Sequence, residues 1–178
     1  MVKTILVTGS TGWLGGKLCE ALVVRGAKVV GLARRKTEVA GVTSLTADLA
    51  TGAGLEKLKE IPIAPADGTN SPEGYSPESA ISAIAISDMV ECLCLAALKE
   101  QFKPGVRQMN VTAEHAFVAD GSTVPQVMQD IYGDGVAHID FSHYEQPGHE
   151  RDSLYDNALV REELGFMPKV NVLTDYKL

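Results

Sequence analysis

Three glycines spaced three residues apart dominate the start of the chain. Gly9, Gly12 and Gly15 follow a short apolar run, Lys3–Thr8, and open a segment with apolar residues at helical spacing. Such a turn lets bare backbone approach a pyrophosphate and leaves free N–H groups at the helix start facing the anion. The pattern therefore predicts a dinucleotide site, with a purely structural glycine-rich turn as the alternative.

The elements around this turn must position it. Lys3–Thr8 predicts a strand buried in a parallel sheet, and Leu14, Leu18 and Leu22 mark one face of a helix that ends at Gly26. A second strand is predicted over Lys28–Ala33. Strand, turn, helix and strand within about 33 residues form a βαβ unit, whose crossover is expected to be right-handed.

The string TGSTGWLGG over residues 8–16 resembles the short-chain dehydrogenase/reductase family, specifically its extended, epimerase/dehydratase-like branch. The resemblance implies an α/β fold: a Rossmann-like, doubly wound parallel sheet, here reduced in size, with a small C-terminal remnant of a substrate lobe. In that family the loop wraps the pyrophosphate of the cofactor. The implied cofactor-binding residues of the loop are Gly9, Thr11, Gly12, Trp13, Leu14 and Gly15.

The residues after the second strand bear on the choice of cofactor. An NAD enzyme would place a carboxylate here for the adenosine ribose, but this chain has Ala33 followed by Arg34 and Arg35. Guanidinium groups pair with a 2′-phosphate, so NADP is favoured, while NAD stays possible. The segment Thr46–Leu49 resembles the family's short third strand, in which an Asp followed by an apolar residue, here Asp48 and Leu49, lies against the adenine. A turn or N-cap role for Asp48 is equally open.

The rest of the chain resembles the same family in a second block. We expect a dinucleotide-binding unit over 1–60, a Pro/Gly-rich connection over 61–81, and the C-terminal part of the fold with the substrate lobe over 82–178. In this last part the patterns predict strands at Ser82–Ile86, Arg107–Thr112 and Ala137–Phe141. They also predict three helices, which begin near a capping box at Asp88 and Glu91, near Thr123 and Gln126, and near Asn157.

The family's catalytic pair is missing from the sequence. It consists of a Tyr with a Lys four residues later, whose ammonium lowers the phenol pKa so that tyrosinate acts as general base. No Tyr-x-x-x-Lys occurs in this chain, and Tyr75 is the one tyrosine in the connection that replaces the family's central module. The module therefore looks deleted, and the catalytic residues stay unknown.

Composition limits the other functions. The chain has 178 residues, 45% of them hydrophobic, and a net charge of −7. Residues 1–40 hold seven Lys/Arg and two Asp/Glu, which suits a pocket for a small anion and disfavours nucleic acid as a partner. No apolar run or signal peptide points to a membrane or to export. Three cysteines in apolar stretches indicate reduced thiols and a cytoplasmic protein.

The histidines offer little more to sequence reasoning. His115, His138, His143 and His149 are candidates for acid–base work, but their spacing identifies no carboxylate-oriented pair and no recognised metal-ligand pattern. We therefore expect surface histidines and no metal.

Three functions remain open. The chain could be an NAD(P)-dependent oxidoreductase or epimerase for a sugar nucleotide or small carbonyl substrate, a non-catalytic sensor of NADP(H), or an internally deleted pseudoenzyme. Loss of the neighbours of the first strand would expose a sheet edge, which makes a homodimer a further possibility.

Overall fold

The computed structural model describes residues 3–60, 82–100, 105, 107–116, 118 and 121–171. The predicted connection over 61–81, and Tyr75 within it, lie outside the described residues. By internal contacts the chain divides into two compact units. Within the described residues, the first unit contains 3–60, 90–100 and 105, and the second contains 82–89, 107–116, 118 and 121–171.

The first unit is built on a parallel sheet. Its strands are β1 (Thr4–Thr8), β2 (Lys28–Ala33) and β3 (Val42–Thr46), hydrogen-bonded in the order β1-β2-β3. Helix α1 (Trp13–Val24) connects β1 to β2, and a short 3-10 helix (Leu55–Glu60) follows β3. The predicted βαβ unit and the α/β, Rossmann-like fold are confirmed.

The sheet is most buried at its centre. In β2 every residue after Lys28 is buried, whereas in β1 only Val7 is buried. β1 stands at one end of the strand order among the described residues, which agrees with the expected exposed edge. The homodimer that this edge would favour stays a prediction.

The regular elements described in the second unit are helices, with turns and irregular segments between them. Helix α2 (Ile86–Leu98) begins in it, and α3 (Val124–Tyr132) and α4 (Ala158–Leu164) follow. Two 3-10 helices, Gly133–Val136 and Ser142–Glu145, lie between α3 and α4. A small core joins α3 to the two 3-10 helices, and its buried members are Ala116, Val118, Val124, Met128 and Val136.

The helix signals hold at α3 and α4. Thr123 and Gln126 form the predicted capping box, with each side chain bonded to the other residue's N–H, and Gly165 ends α4 in the left-handed conformation. The capping box predicted at Asp88 is wrong, because α2 begins two residues earlier. The Asp88 carboxylate instead accepts the N–H groups of Lys169 and Val170 at 3.0 Å each.

The three strands predicted in the C-terminal half are wrong. Residues 82–85 and 107–112 have no regular structure, and Ile86 already belongs to α2. Residues 137–141 lie between two 3-10 helices, where local turns occupy the N–H groups that a sheet would need: the Ile139 N–H donates to the Val136 carbonyl at 3.0 Å. The N–H of Thr112 donates to the side chain of Asn157 rather than to a neighbouring strand.

Candidate functional site

The carboxyl ends of the three strands lie side by side along one edge of the sheet, because the strands are parallel. This carboxyl edge differs from the lateral edge formed by β1. Gly9 follows β1, Arg34 follows β2 and Asp48 follows β3. In open α/β sheets this edge is where ligands bind. The topology therefore collects the three segments that the sequence singled out.

The glycine loop has the geometry that its residue types predict. Gly9 has φ +68°, a region that L side chains rarely adopt, and its carbonyl accepts the N–H of Gly12 at 2.8 Å. A Cβ on Gly15 would lie 2.2 Å from the Gly9 carbonyl oxygen, so any side chain there would collide with the loop backbone. The first and third glycines are thus required by the fold of the loop itself.

The start of α1 presents bare backbone. Gly12 is the N-cap and makes no side-chain capping bond, so the helix has no side chain closing its first turn. The first N–H groups of an α-helix lack partners within the helix, and their dipoles favour an anion. Trp13 and Leu14 occupy this turn, and residue Trp13 is 74% exposed. No acidic residue lies in the first turn to compete with an anionic ligand.

A cavity of about 510 Å³ opens against this edge. It is lined by residues from all three strand ends: Gly9, Thr11, Gly12, Leu32, Ala33, Arg34, Arg35, Ala47, Asp48, Leu49 and Ala50. Seven of the ten residues predicted for the cofactor are among them. The other three, Trp13, Leu14 and Gly15, stand at the start of α1.

A second cavity of about 500 Å³ shares the loop and contains residues that sequence reasoning missed. Thr11, Gly12 and Arg35 line both cavities, while Ser10 and residues 36–39 line the second one. Ser10 is 1% exposed, and its Oγ has no hydrogen-bond partner. The sequence shows Ser10 between Gly9 and Gly12, which could have pointed to this residue. Its position alone does not distinguish a hydroxyl packed in the core from one that contacts a ligand.

Asp48 makes the turn that was one of its two predicted roles. Its Oδ1 accepts the N–H of Ala50 at 2.9 Å, and its carbonyl accepts the N–H of Gly52 at 2.8 Å. The third strand covers Val42–Thr46, so it begins earlier than the predicted segment and ends just before Asp48. The turn leaves Asp48 and Leu49 on the cavity wall. The role of Asp48 in the turn therefore does not exclude the predicted contact with the adenine.

The match to known proteins covers this part of the chain. Residues 5–63 match the model of the NAD dependent epimerase/dehydratase family. The match spans 59 of the 178 residues, so about a third of the chain is similar to that family. A 49-residue stretch is 47% identical to sterol demethylase protein B of Methylococcus capsulatus, which covers 28% of this chain and 15% of that protein. No solved structure matches the chain.

The family segment accounts for the glycine loop and the three strands around it, and it implies a nicotinamide dinucleotide as cofactor. The match ends at residue 63, so the resemblance of residues 82–178 to the same family stays a prediction. No described helix is long and apolar enough to cross a bilayer.

The histidines form a separate group in the second unit. His143 and His149 both hydrogen-bond the Oδ2 of Asp152, at 3.0 Å and 2.7 Å, and His138 is not part of this group. Partial burial would raise the pKa of Asp152, but the bonds with His149 and His143 outweigh it and lower that pKa. The carboxylate-oriented histidine pair that spacing did not reveal is therefore present.

Proposed function

We propose that the first unit binds a nicotinamide dinucleotide and prefers NADPH to NADH. The observation that carries this proposal is the 510 Å³ cavity, which brings the glycine loop, the two arginines and the turn at Asp48 to one wall. Each strand end supplies the residue type that a different part of a dinucleotide needs.

The loop suits the pyrophosphate. The N–H groups at the start of α1 favour an anion, and Gly9 and Gly12 present bare backbone to the cavity. Among the described residues the buried Ser10 hydroxyl has no hydrogen-bond partner, which leaves its bonding capacity for a ligand or a bridging water. These features fit a phosphate better than they fit an apolar molecule.

The residues after β2 favour the 2′-phosphate of NADP. Arg34 and Arg35 are exposed on the cavity wall, and Ala33 at the end of the strand offers no carboxylate to bind a ribose hydroxyl. Guanidinium–phosphate bonds are charge-assisted and often bidentate. Arg35 lines both cavities, so it has access to a ligand in either one.

We further propose that the chain binds this cofactor without efficient turnover. The cofactor would supply hydride transfer, but the family's tyrosine–lysine pair for the accompanying proton is absent from the sequence. Among the described tyrosines, burial and, to a smaller extent, the Asp152 carboxylate raise the pKa of Tyr144, which is the opposite of what a tyrosinate base requires. An NADP(H) sensor or an internally deleted pseudoenzyme fits these residues better than an active reductase or epimerase.

A cofactor titration tests the binding site directly. Trp13 is the chain's one tryptophan and lies at the start of α1, so its fluorescence should change when NADPH binds. Gly12→Val should abolish binding while circular dichroism stays similar, because the side chain would project where backbone must meet phosphate. Unchanged NADPH affinity in Gly12→Val would refute the site.

The same titration tests the choice of cofactor. NADPH should bind more tightly than NADH, and Arg34→Ala should narrow the difference by about 1–3 kcal/mol. Lys17→Ala is the matched control, because Lys17 is an exposed cation of α1 that lines neither cavity. Equal affinities for the two cofactors, or an equal effect of the control, would contradict the preference.

An activity assay separates the sensor from the enzyme. The chain is incubated with NADPH or NADP⁺ and a panel of sugar nucleotides, ketones and aldehydes, and both the cofactor absorbance and the product formed are followed. A positioned acid–base group contributes about 10²–10⁴-fold to the rate, so we expect turnover to be lower by that factor than in a complete enzyme. Efficient turnover that is lost in Tyr75→Phe would show that the chain is an active enzyme with its base in the 61–81 segment.

A further inference from the structure

The second unit brings three metal-ligand side chains together at its surface. His143 Nε2, His149 Nδ1 and Asp152 Oδ2 all lie within 4.8 Å of one another. The side chains are 52%, 47% and 29% exposed, respectively, so an ion from solvent can reach them. Two imidazoles and one carboxylate are a donor set typical of zinc and related divalent metals.

The backbone fixes the positions of these residues. Asp152 pairs with His115 in an isolated antiparallel bridge, and the N–H of Ser153 donates to the Glu114 carbonyl at 3.1 Å. The turn between the ligands is closed by the Asp152 N–H, which donates to the His149 carbonyl at 3.2 Å. The His143 ring packs edge-on against Tyr144, with ring centroids 5.2 Å apart. These contacts hold the ligand-bearing segments in place before any ion arrives.

We propose that His143, His149 and Asp152 bind a divalent transition-metal ion of the Zn²⁺ type. Three protein ligands leave one coordination position for water, as in zinc sites that bind a small ligand. This site is independent of the proposed dinucleotide site, since all three residues belong to the second unit.

The distances suit such an ion. Zinc bonds of about 2.0–2.1 Å in a tetrahedron place ligand atoms about 3.3–3.4 Å apart. Here the two imidazole nitrogens lie 3.0 Å and 2.7 Å from the shared carboxylate oxygen, and the two nitrogens lie no more than 4.8 Å from each other. The carboxylate oxygen would move away from the nitrogens by a few tenths of an ångström, and rotation of the rings would close the distance between the two nitrogens by up to about 1.4 Å.

The surroundings favour a cation. Residues 121–171, which carry all three ligands, hold nine Asp/Glu and three Lys/Arg, a negative balance for this segment. A cavity of about 390 Å³ has His143 and Asp152 in its wall, together with Glu114, and offers room for a solvent ligand. Competition from thiols is weak, since burial raises the pKa of the Cys19, Cys92 and Cys94 thiols and keeps them protonated.

Calorimetric titration of the untagged chain with ZnCl₂ at neutral pH tests the site. We expect one ion per chain, with a Kd on the order of 1–100 µM for three partly exposed ligands. His143→Ala, His149→Ala and Asp152→Ala should each weaken binding at least about tenfold, since loss even of an outer-shell partner has effects of that size. His138→Ala, which removes an exposed histidine outside the cluster, should leave the affinity unchanged.

A measurement on the unmodified chain covers the case in which a variant fails to fold. In nitrogen-15 spectra of the histidine rings, Zn²⁺ should shift the signals of His143 and His149 and leave that of His138 in place. Binding weaker than about 1 mM, ring signals that do not move, or an equal loss of affinity in His138→Ala would each overturn the proposal. In those cases the cluster is a proton-bridged histidine–aspartate network without a metal.

Discussion

The two units of the chain satisfy their backbone in different ways. In the first unit the strands bond to one another over five consecutive pairs on each side of β2. In the described part of the second unit the only strand-like pairing is the bridge between His115 and Asp152. Other backbone N–H and carbonyl groups of this unit bond to side chains instead of to a neighbouring strand. In a sheet, the loss of one hydrogen bond leaves the other bonds of the strand pair in place. Where one side chain makes the bonds of a backbone segment, replacing that side chain removes all of them.

The largest effect should follow from removing such a side chain. Asn157 is buried, its Oδ1 accepts the Thr112 N–H at 3.0 Å, and its Nδ2 donates to the Thr112 carbonyl at 2.9 Å. Asn157→Ala leaves both backbone groups buried without partners, so we expect unfolding free energy to fall by about 2–4 kcal/mol.

Urea unfolding followed by circular dichroism measures this loss. The matched control is Asn110→Ala, at an exposed asparagine, which should change stability by less than about 0.5 kcal/mol. Equal losses of unfolding free energy in the two variants would show that Asn157 does not stabilise the second unit. That result would contradict the difference between the two units.

Next in size is a test of the first unit at two adjacent glycines. A Cβ at Gly15 would lie 2.2 Å from the Gly9 carbonyl oxygen, whereas at Gly16 the nearest atom would be the Ser10 carbonyl oxygen at 3.8 Å. Gly15→Ala should reduce stability by about 1–3 kcal/mol through this overlap. Gly16→Ala should be neutral or stabilising by up to about 1 kcal/mol, since alanine favours helix. Thermal unfolding of the two variants that differs by less than their error would contradict the loop geometry.

A smaller effect is expected at Asp88. Its buried carboxylate accepts two backbone N–H groups through one oxygen, Oδ2. Asp88→Asn keeps an acceptor but removes the charge that strengthens both bonds, so we expect a loss of about 1–2 kcal/mol. Asp130→Asn, at an exposed position of α3, is the control and should leave the midpoint of urea unfolding unchanged. If the midpoint of urea unfolding shifted equally in both variants, Asp88 would not be a side chain that stabilises this unit.

The smallest expected effect is a pH dependence of stability that arises in the first unit. All three cysteines lie in the first unit, and burial raises the pKa of each thiol. Unfolded thiols ionise near pH 8.5 while the folded ones stay neutral, so stability falls as pH rises above that value. Replacing all three cysteines with alanine should abolish this alkaline decrease, which comparison of urea midpoints at pH 7 and pH 9.5 would detect. An unchanged decrease would assign it to other groups.

The same difference explains what the sequence could predict. The strands of the first unit, the glycine loop and the arginines after β2 are visible because periodicity and residue type are local properties. The Asn157–Thr112 bonds join residues 45 positions apart, and nothing in a segment such as Arg107–Thr112 shows that a distant amide will replace a strand. Asp152 was missed beside His143 and His149 for a related reason, since a turn rather than a regular element brings the three together.

The bond between Lys3 and the end of α2 joins residues 95 or more positions apart, and this separation implies an order of folding during synthesis. The Lys3 ammonium donates to the carbonyls of Leu98, at 3.3 Å, and Lys99, at the C-terminal end of that helix. Strands β1, β2 and β3 lie within the first 46 residues, so they can pair as soon as that stretch has left the ribosome. The helix that completes the same unit emerges some fifty residues later. We expect the nascent chain to hold a partly formed sheet through that interval, which is when chaperones would find its apolar surface exposed.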